Sequence, residues 1–543
     1  MKLNSAELSK KEQWEKAGIL LPQFDRNAMI AETKRAPEWA HFGAGNIFRI
    51  FPAALQQSLL ERGLARTGVI VAEGYDGEII DKAFSPCDNL TLAVTLKADG
   101  NIEKRVIGSV AQALNLEKPD QFSVLQTIFR SPSLKMASFT ITEKGYSLNS
   151  REGGFSPDVQ ADFDSCGAAS YMGKVSALLL ERYKAGAFPI AMVSMDNCSH
   201  NGDKLFAAIS AFADQWAAKG FIDKGFADYV RDRAKVAFPW SMIDKITPRP
   251  DEGVRKMLEE SGFEDTAGRI TTKQTYIAPF VNAEETQYLV IEDSFPNGRP
   301  PLEKAGVLFA TRETVDKVEK MKVCTCLNPL HTSLAVFGCL LGYTKISDEM
   351  KDADLVALIE GVGYKEGLPV AVDPGVLSPK AFIDQVVRAR LPNPFMPDTP
   401  QRIACDTSQK IPIRFGETIK AYLASETLNV EDLRLIPLTL AAWARYLLGI
   451  DDTGAAFTVS PDPLYESLFA HVKHIKLGDV GDFHGALQPI FSDASIFAVN
   501  LYDAGLGARV EGLFAEMAAG VGAVRNTLRK YTAESARSSA SGL

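Results

Sequence analysis

The run WAHFGAGNIFRIF, residues 39–51, constrains the fold of this chain more than any other segment. Trp39 to Phe42 read as a short buried strand, Gly43 to Gly45 as a turn, and the apolar spacing from Ile47 to Arg62 as a helix. A second apolar run, Gly68 to Ala72, follows. Two strands joined through a helix lie parallel, and parallel strands need helices over both faces of their sheet. The alternation continues with strands at Arg105 to Val110, Lys135 to Thr140 and Ile190 to Ser194, and helices at Pro119 to Arg130 and Ser170 to Lys184. The expected fold class is α/β, with a Rossmann-type doubly wound sheet in the N-terminal part.

At 543 residues the chain exceeds what one hydrophobic core serves. Beyond Asn201 helical periodicity dominates, apart from an extended stretch from Ile277 to Ile291. The turn-rich loop SFPNGRPPLEKAG marks the boundary region, so residues 1–311 are expected to form a nucleotide-binding domain and 312–543 a mostly α-helical substrate and catalytic domain. Helices are predicted there at Asp348 to Gly361, Lys380 to Arg390, Glu431 to Leu448 and Ala508 to Lys530. The tail SARSSASGL after Glu534 has nothing to pack.

The glycine turn carries chemistry as well as topology. Gly43 permits the tight turn, and Gly45 lets a pyrophosphate approach the N–H groups that begin the helix, at Asn46, Ile47, Phe48 and Arg49. Phe48 stands where the dinucleotide fingerprint has its third glycine, so an ordinary strand-to-helix turn is the competing reading. The second strand ends at Glu73, with Asp76 beyond it. Either acid can accept from a ribose hydroxyl and would repel a 2′-phosphate, which favours NAD over NADP; the alternative is two acids in a solvated turn.

A formal charge of -9 and the lack of a basic run with interleaved aromatics argue against nucleic acid as a partner. The N-terminus is polar, no stretch is expected to reach membrane-span length, and a cytoplasmic protein follows as the expectation. Seven scattered cysteines make no disulfide framework. Neither the Cys324/Cys326 pair nor His471 with His474 has further ligands at zinc spacing, so no metal is expected.

The most chemically suggestive grouping is Lys322, Asn328 and His331 in KMKVCTCLNPLH. A lysine among Val323, Cys324 and Leu327 loses solvation of its charged form and can act as general acid or base near neutral pH. Asn328 can donate to a developing alkoxide, and His331 can orient a hydroxyl. A helix with a surface lysine, a buried amide and a core histidine fits the same letters.

These segments together resemble the polyol-specific long-chain dehydrogenase/reductase family. The resemblance rests on HFGAGNIFR, SFTITEKGY (138–146), MDNCSHNG (195–202), FPWSMIDKITP (238–248), DSFPNGRPPLEKAGV (293–307) and KVCTCLNPLH, and spans about residues 36 to 530. It implies a zinc-independent active site in a cleft between a Rossmann-type and a helical domain. It further implies Lys322 as acid/base, Asn197 and Asn328 as alkoxide donors, and His331 as substrate-positioning. Glu319 and Glu143 match acids that pass protons or guard the site, and Asp244 a residue close to the cofactor. The family pattern has four residues between lysine and asparagine, whereas five separate Lys322 from Asn328. On an ideal helix Lys322 would face away from His331 and Lys320 would lie nearly over it. A π-bulge ahead of Pro329 is the expected way to absorb the extra residue, and Lys-Val after Met, as in the family motif, keeps Lys322 first with Lys320 as the fallback. In RIACDTSQKIPIRF the grouped cations Arg402, Lys410 and Arg414 can hold a carboxylate, and this segment is similar to the sugar-acid branch of the family. The expected partner is a small sugar acid or polyol, and the expected assembly a monomer or small homo-oligomer. A non-catalytic dinucleotide sensor on the same fold is the reading from another class.

Overall fold

The computed structural model describes residues 1–150, 152–249, 252–264 and 266–540, with side chains to residue 535. The chain divides into two compact units, Met1–Lys97 with Asn101–Asp316, and Ala98–Gly100 with Lys317–Leu543.

The first unit is built on a six-stranded sheet of β1 (Trp39–Phe42), β2 (Val69–Glu73), β3 (Val110–Asn115), β4 (Met136–Phe139), β5 (Ile190–Ser194) and β6 (Val236–Ala237). Their order across the sheet is 3-2-1-4-5-6 and every pair is parallel. This is the Rossmann arrangement. The strands are mainly apolar because both faces are covered. Ala40, Phe42, Ala137 and Phe139 point into one core, and Trp39, Val69, Met136 and Val193 into the other.

Several elements differ from their sequence pattern. The helix expected over Ile47 to Arg62 is two, α1 (Asn46–Ile50) and α2 (Pro52–Glu61). Pro52 has no N–H to donate and opens a new helix, with Phe51 at the break. The strand expected over Arg105 to Val110 is also two: Ile102–Ile107 pairs antiparallel with Thr91–Leu96 in a separate four-stranded sheet, while β3 starts only at Val110. The intervening Gly108 turn packs under Pro22 and Leu90. The extended stretch from Ile277 to Ile291 supplies Phe280–Glu284 to that second sheet and Tyr288–Glu292 to a three-stranded sheet with Ser241–Asp244 and Leu308–Ala310. Helices α3 (Pro119–Arg130) and α4 (Tyr171–Lys184) lie where the apolar spacing put them, the latter capped by Ser170 Oγ accepting from Gly173 N at 3.0 Å. Helix α5 (Asn201–Ala218) follows β5.

The second unit is helical. Helix α6 (Arg312–Lys320), which begins in the first unit, runs into a π-helical turn, Met321–Cys326, before α7 (Asn328–Leu340). The expected Asp348 to Gly361 helix is interrupted at Asp352, which caps α8 (Ala353–Glu360). Lys380 to Arg390 resolves into α9 (Pro379–Gln385) and a π turn, Val386–Arg390, and the central α10 (Leu435–Tyr446) starts four residues later than Glu431. Ala508 to Lys530 is α11 (Gly507–Ala518) and α12 (Ala523–Ala540), parted by Gly520 and Gly522, both at positive φ. The backbone of the tail, expected to be unstructured, stays helical to Ala540, and residues 541–543 lie outside the described residues. The segment Arg312–Leu340 is, against expectation, apolar and long enough to cross a membrane by length and composition, with a window hydropathy of 1.4. It serves as a core helix instead, since 78% of that window is buried inside the protein.

Candidate active site

In the first unit the motif residues converge on the C-terminal edge of the parallel sheet. Gly43 follows β1 with φ +101°, and a Cβ there would run into the Thr140 carbonyl, so only glycine fits. Gly45 is the opposite case: a Cβ would meet no atom within 4 Å, leaving open space beside the turn. Asn46 and Ile47 are half-buried in the first turn of α1, whose leading N–H groups have no intrahelical acceptor. Phe48 is buried and stacks on His41 at 4.2 Å between centroids. Arg49 is buried too, with Nε donating to Thr91 Oγ1 at 3.1 Å and Nη2 to the Pro279 carbonyl at 3.3 Å, and burial lowers its pKa to about 10. Its side chain therefore locks α1 onto the second sheet.

The two acids after β2 turn inward. Glu73 accepts from the N–H groups of Ala44, Tyr75 and Asp76 at 2.9, 2.8 and 3.1 Å, so it shapes the glycine turn itself. Burial raises its pKa against the pull of those amides. Asp76 accepts from Thr271 Oγ1 at 2.6 Å. Open space at Gly45 beside unfilled helix N–H groups fits the pyrophosphate of a dinucleotide, with Glu73 fixing the turn.

Asn197 is exposed in the turn after β5. Its neighbour Asp196, which the sequence reading passed over, organises the edge by accepting from the N–H groups of Ile141 and Thr142 at 3.0 and 2.8 Å and from Tyr146 Oη at 2.5 Å. Asp196 thereby ties MDNC to TITEKGY; its place within the motif was the available signal. Asn201 completes the join, donating to the carbonyls of Asp196 and Ser241 at 2.9 and 3.0 Å. Glu143 is exposed, paired with Lys204 on the wall of an open depression of about 950 Å³. Asp244 is buried at the end of its strand, opposite Tyr288.

In the second unit the π turn lies between Lys322 and Asn328, where the spacing required an extra residue. Leu327 N donates to the Lys322 carbonyl at 3.1 Å, a five-residue step, and α7 starts at Asn328. Lys322 is 5% exposed, whereas Lys320 is exposed and Glu319 half-buried. His331 follows one turn into α7, with Nε2 3.7 Å from Asp398 Oδ2, too long for a hydrogen bond. Burial, first, lowers the His331 pKa to about 4; Asp398 opposes this, and Arg414, Arg402 and Arg390 add to it. The imidazole is therefore neutral at physiological pH. Arg402 pairs with Asp398, and Arg414 Nη1 donates to Thr332 Oγ1 at 2.5 Å. Burial brings Arg414 down to about 10. Lys410 instead donates to the carbonyls of Ile403, at 3.4 Å, and Cys405. Asp398 and Arg390, neither singled out from sequence, complete the cluster; Arg390 had no signal because its π turn lies outside the cationic motif.

Among the described residues no group of three or more metal-ligating side chains occurs. The Rossmann sheet, with its glycine turn and the open space at Gly45, defines the class of a dinucleotide-linked oxidoreductase. The profile of the mannitol dehydrogenase Rossmann domain matches residues 38–304, and that of the mannitol dehydrogenase C-terminal domain residues 314–480. The chain belongs to the mannitol dehydrogenase family, and it is an NAD-linked dehydrogenase acting on a CH–OH group. It is 52% identical to a D-mannonate oxidoreductase of Thermotoga maritima over 98% of this chain and 99% of that protein. It is 31% identical to a polyol:NADP oxidoreductase of Gluconobacter oxydans over 87% and 90%. Among solved structures it is similar to a substrate-free D-sorbitol dehydrogenase, with a TM-score of 0.77, 26% identity and 94% and 97% coverage. It is also similar to the Pseudomonas fluorescens mannitol 2-dehydrogenase in ternary complex with NAD and D-mannitol, with a TM-score of 0.67, 26% identity and 98% and 99% coverage.

Proposed function

We propose that this enzyme interconverts D-fructuronate and D-mannonate, with residues 1–311 binding NAD and 312–543 binding the sugar acid. The observation that carries the substrate class is the gathering of the Arg390, Arg402 and Arg414 guanidiniums around the His331 imidazole, with Asp398 as the opposing carboxylate. Such an excess of positive charge suits a substrate carboxylate, which a guanidinium holds with two parallel hydrogen bonds. The likeness to a D-mannonate oxidoreductase supports the same choice.

Bound NAD supplies the hydride chemistry at the substrate carbon. In the oxidising direction Lys322 Nζ takes the hydroxyl proton, and its burial supports that role over the exposed Lys320. The Asn328 amide donates to the oxygen as negative charge develops on it, and Asn197 is assigned as a further amide donor. His331, neutral, orients a neighbouring hydroxyl, and Glu319 relays the proton from Lys322 towards water. Gly43, Gly45 and the N–H groups from Asn46 to Arg49 bind the dinucleotide, with Glu73 and Asp76 shaping its ribose end and Glu143 and Asp244 assigned to the cofactor side. Arg402, Lys410 and Arg414 hold the sugar-acid end.

Oxidation of NADH by the purified protein with D-fructuronate, D-tagaturonate and D-fructose in parallel tests the reading. D-Fructuronate is expected to be turned over with at least tenfold higher kcat/KM than either competitor. Preference for D-tagaturonate or D-fructose would replace the substrate, and NADH binding with no turnover of any sugar or sugar acid would leave a sensor.

A further inference from the structure

The exposed end of β2 holds an aromatic ring that the fold leaves uncovered. Tyr75, two residues beyond Glu73, is 63% exposed, and its N–H is fixed on Glu73 Oε1 at 2.8 Å. The ammonium of Lys273 stands 4.7 Å from the ring centroid and also donates to the Tyr75 carbonyl. Lys273 comes from the tip of a hairpin, Arg269–Ile270 paired with Tyr276–Ile277, almost two hundred residues further along the chain.

That hairpin is fastened to the β2 end at each successive residue of its tip. Thr271 Oγ1 donates to Asp76 at 2.6 Å, Thr272 N and Oγ1 donate to Glu78, and Lys273 pairs with Glu117 at 3.0 Å. Glu117 lies just past β3, so Tyr75 and Lys273 span the C-terminal ends of β2 and β3. Beneath them the surface is closed: a Cβ on Gly74 would stand 3.0 Å from the Tyr171 ring and 3.4 Å from Leu116.

Strand order locates what belongs there. A dinucleotide whose pyrophosphate sits at the glycine turn after β1, and whose ribose follows beside the end of β2, places its base next to the ends of β2 and β3. We propose that Tyr75, backed by Lys273 of the 269–277 hairpin, is the shelf on which the adenine ring of the dinucleotide stacks. The inference rests on the proposed course of the dinucleotide along Gly43, Gly45 and Glu73. An exposed aromatic face offers stacking to any base, and the ammonium holds the ring by a cation–π contact. The hairpin is thus a cofactor-binding element contributed from outside the βαβ units.

Calorimetric titration of the full-length protein with ADP-ribose, which carries the adenine half, and with nicotinamide mononucleotide, which carries the other, tests this. Tyr75→Ala is expected to weaken ADP-ribose and NADH binding about tenfold and to leave nicotinamide mononucleotide unchanged, whereas Tyr75→Phe keeps wild-type affinity. Lys273→Ala is expected to weaken ADP-ribose two- to fivefold. Since Tyr75 is exposed, folding is not at issue, and unaltered thermal melting of each variant verifies it. ADP-ribose bound by Tyr75→Ala as tightly as by wild type, or an equal loss for both halves, overturns the shelf while NADH binding keeps the dinucleotide reading intact. A wild-type protein that binds neither ADP-ribose nor NADH overturns both.

Discussion

Replacing Glu349 by glutamine should stabilise the helical unit in mildly alkaline solution and not in acid. Glu349 is fully buried, and neither of its carboxyl oxygens has a hydrogen-bond partner. Burial, followed by repulsion from Asp352, pushes its pKa up to about 9 from 4.5. A carboxyl whose pKa is raised by folding favours the folded state most below its unfolded value. That stability is then lost progressively as the pH climbs from 4.5 towards 9. At pH 8 the unfolded chain has released the proton and the folded one retains it, at a cost of roughly 4–5 kcal/mol; at pH 5.5 the cost is only about 1–2 kcal/mol. Glutamine keeps the shape and cannot ionise, so the stability of Glu349→Gln relative to wild type should swing by roughly 3 kcal/mol in the variant's favour between those pH values. For a cooperative unit of about 200 residues that is a relative rise in Tm of roughly 6–10 °C. Thermal melts of both proteins at pH 5.5, 7 and 8.5, followed by circular dichroism, measure the difference. A Tm difference that stays constant across this range would refute the reasoning, because Glu349 would then titrate alike in folded and unfolded chains.

Other expectations follow from the same geometry. Lys322→Ala should lower kcat by at least a hundredfold with the fold intact, whereas Lys320→Ala should keep near-wild-type turnover; loss of activity only in Lys320→Ala would move the acid/base to the fallback lysine. Gly43→Ala should destabilise the first unit by roughly 2 kcal/mol or more, seen as a lowered Tm, since it combines a positive φ with a clash against the Thr140 carbonyl. Gly45→Ala, with empty space around its new methyl, should melt like wild type yet bind NADH at least tenfold more weakly by fluorescence titration, and unchanged binding would put the pyrophosphate elsewhere.

Local pattern carried the first unit a long way. The alternation of apolar strands with amphipathic helices is a direct imprint of a parallel sheet, because strands covered on both faces have no polar side to show. Strands β1 and β5 and helix α3 begin and end where hydrophobicity alone put them. The π turn was legible only against the family pattern, which has one residue fewer between the lysine and the asparagine than separate Lys322 from Asn328. Where the pattern misled, a glycine or proline had redirected the chain without altering its hydrophobicity, as at Pro52 and Gly108.

What the sequence determined by itself was therefore the alternation of strands and helices in the first unit, the glycine turn and the set of side chains that are candidates for chemistry. Tertiary structure alone decided which of those side chains have their charge free. Glu73 and Asp76 look from sequence like acids facing a ribose, yet backbone N–H groups and a threonine from a distant hairpin take up their carboxylates. Asp398 and Arg390 carry no motif, and they matter because folding sets their charges against a half-buried imidazole. Periodicity records only which side of an element faces the core, whereas electrostatics depends on distances between residues far apart in the chain, and those exist only once it has folded.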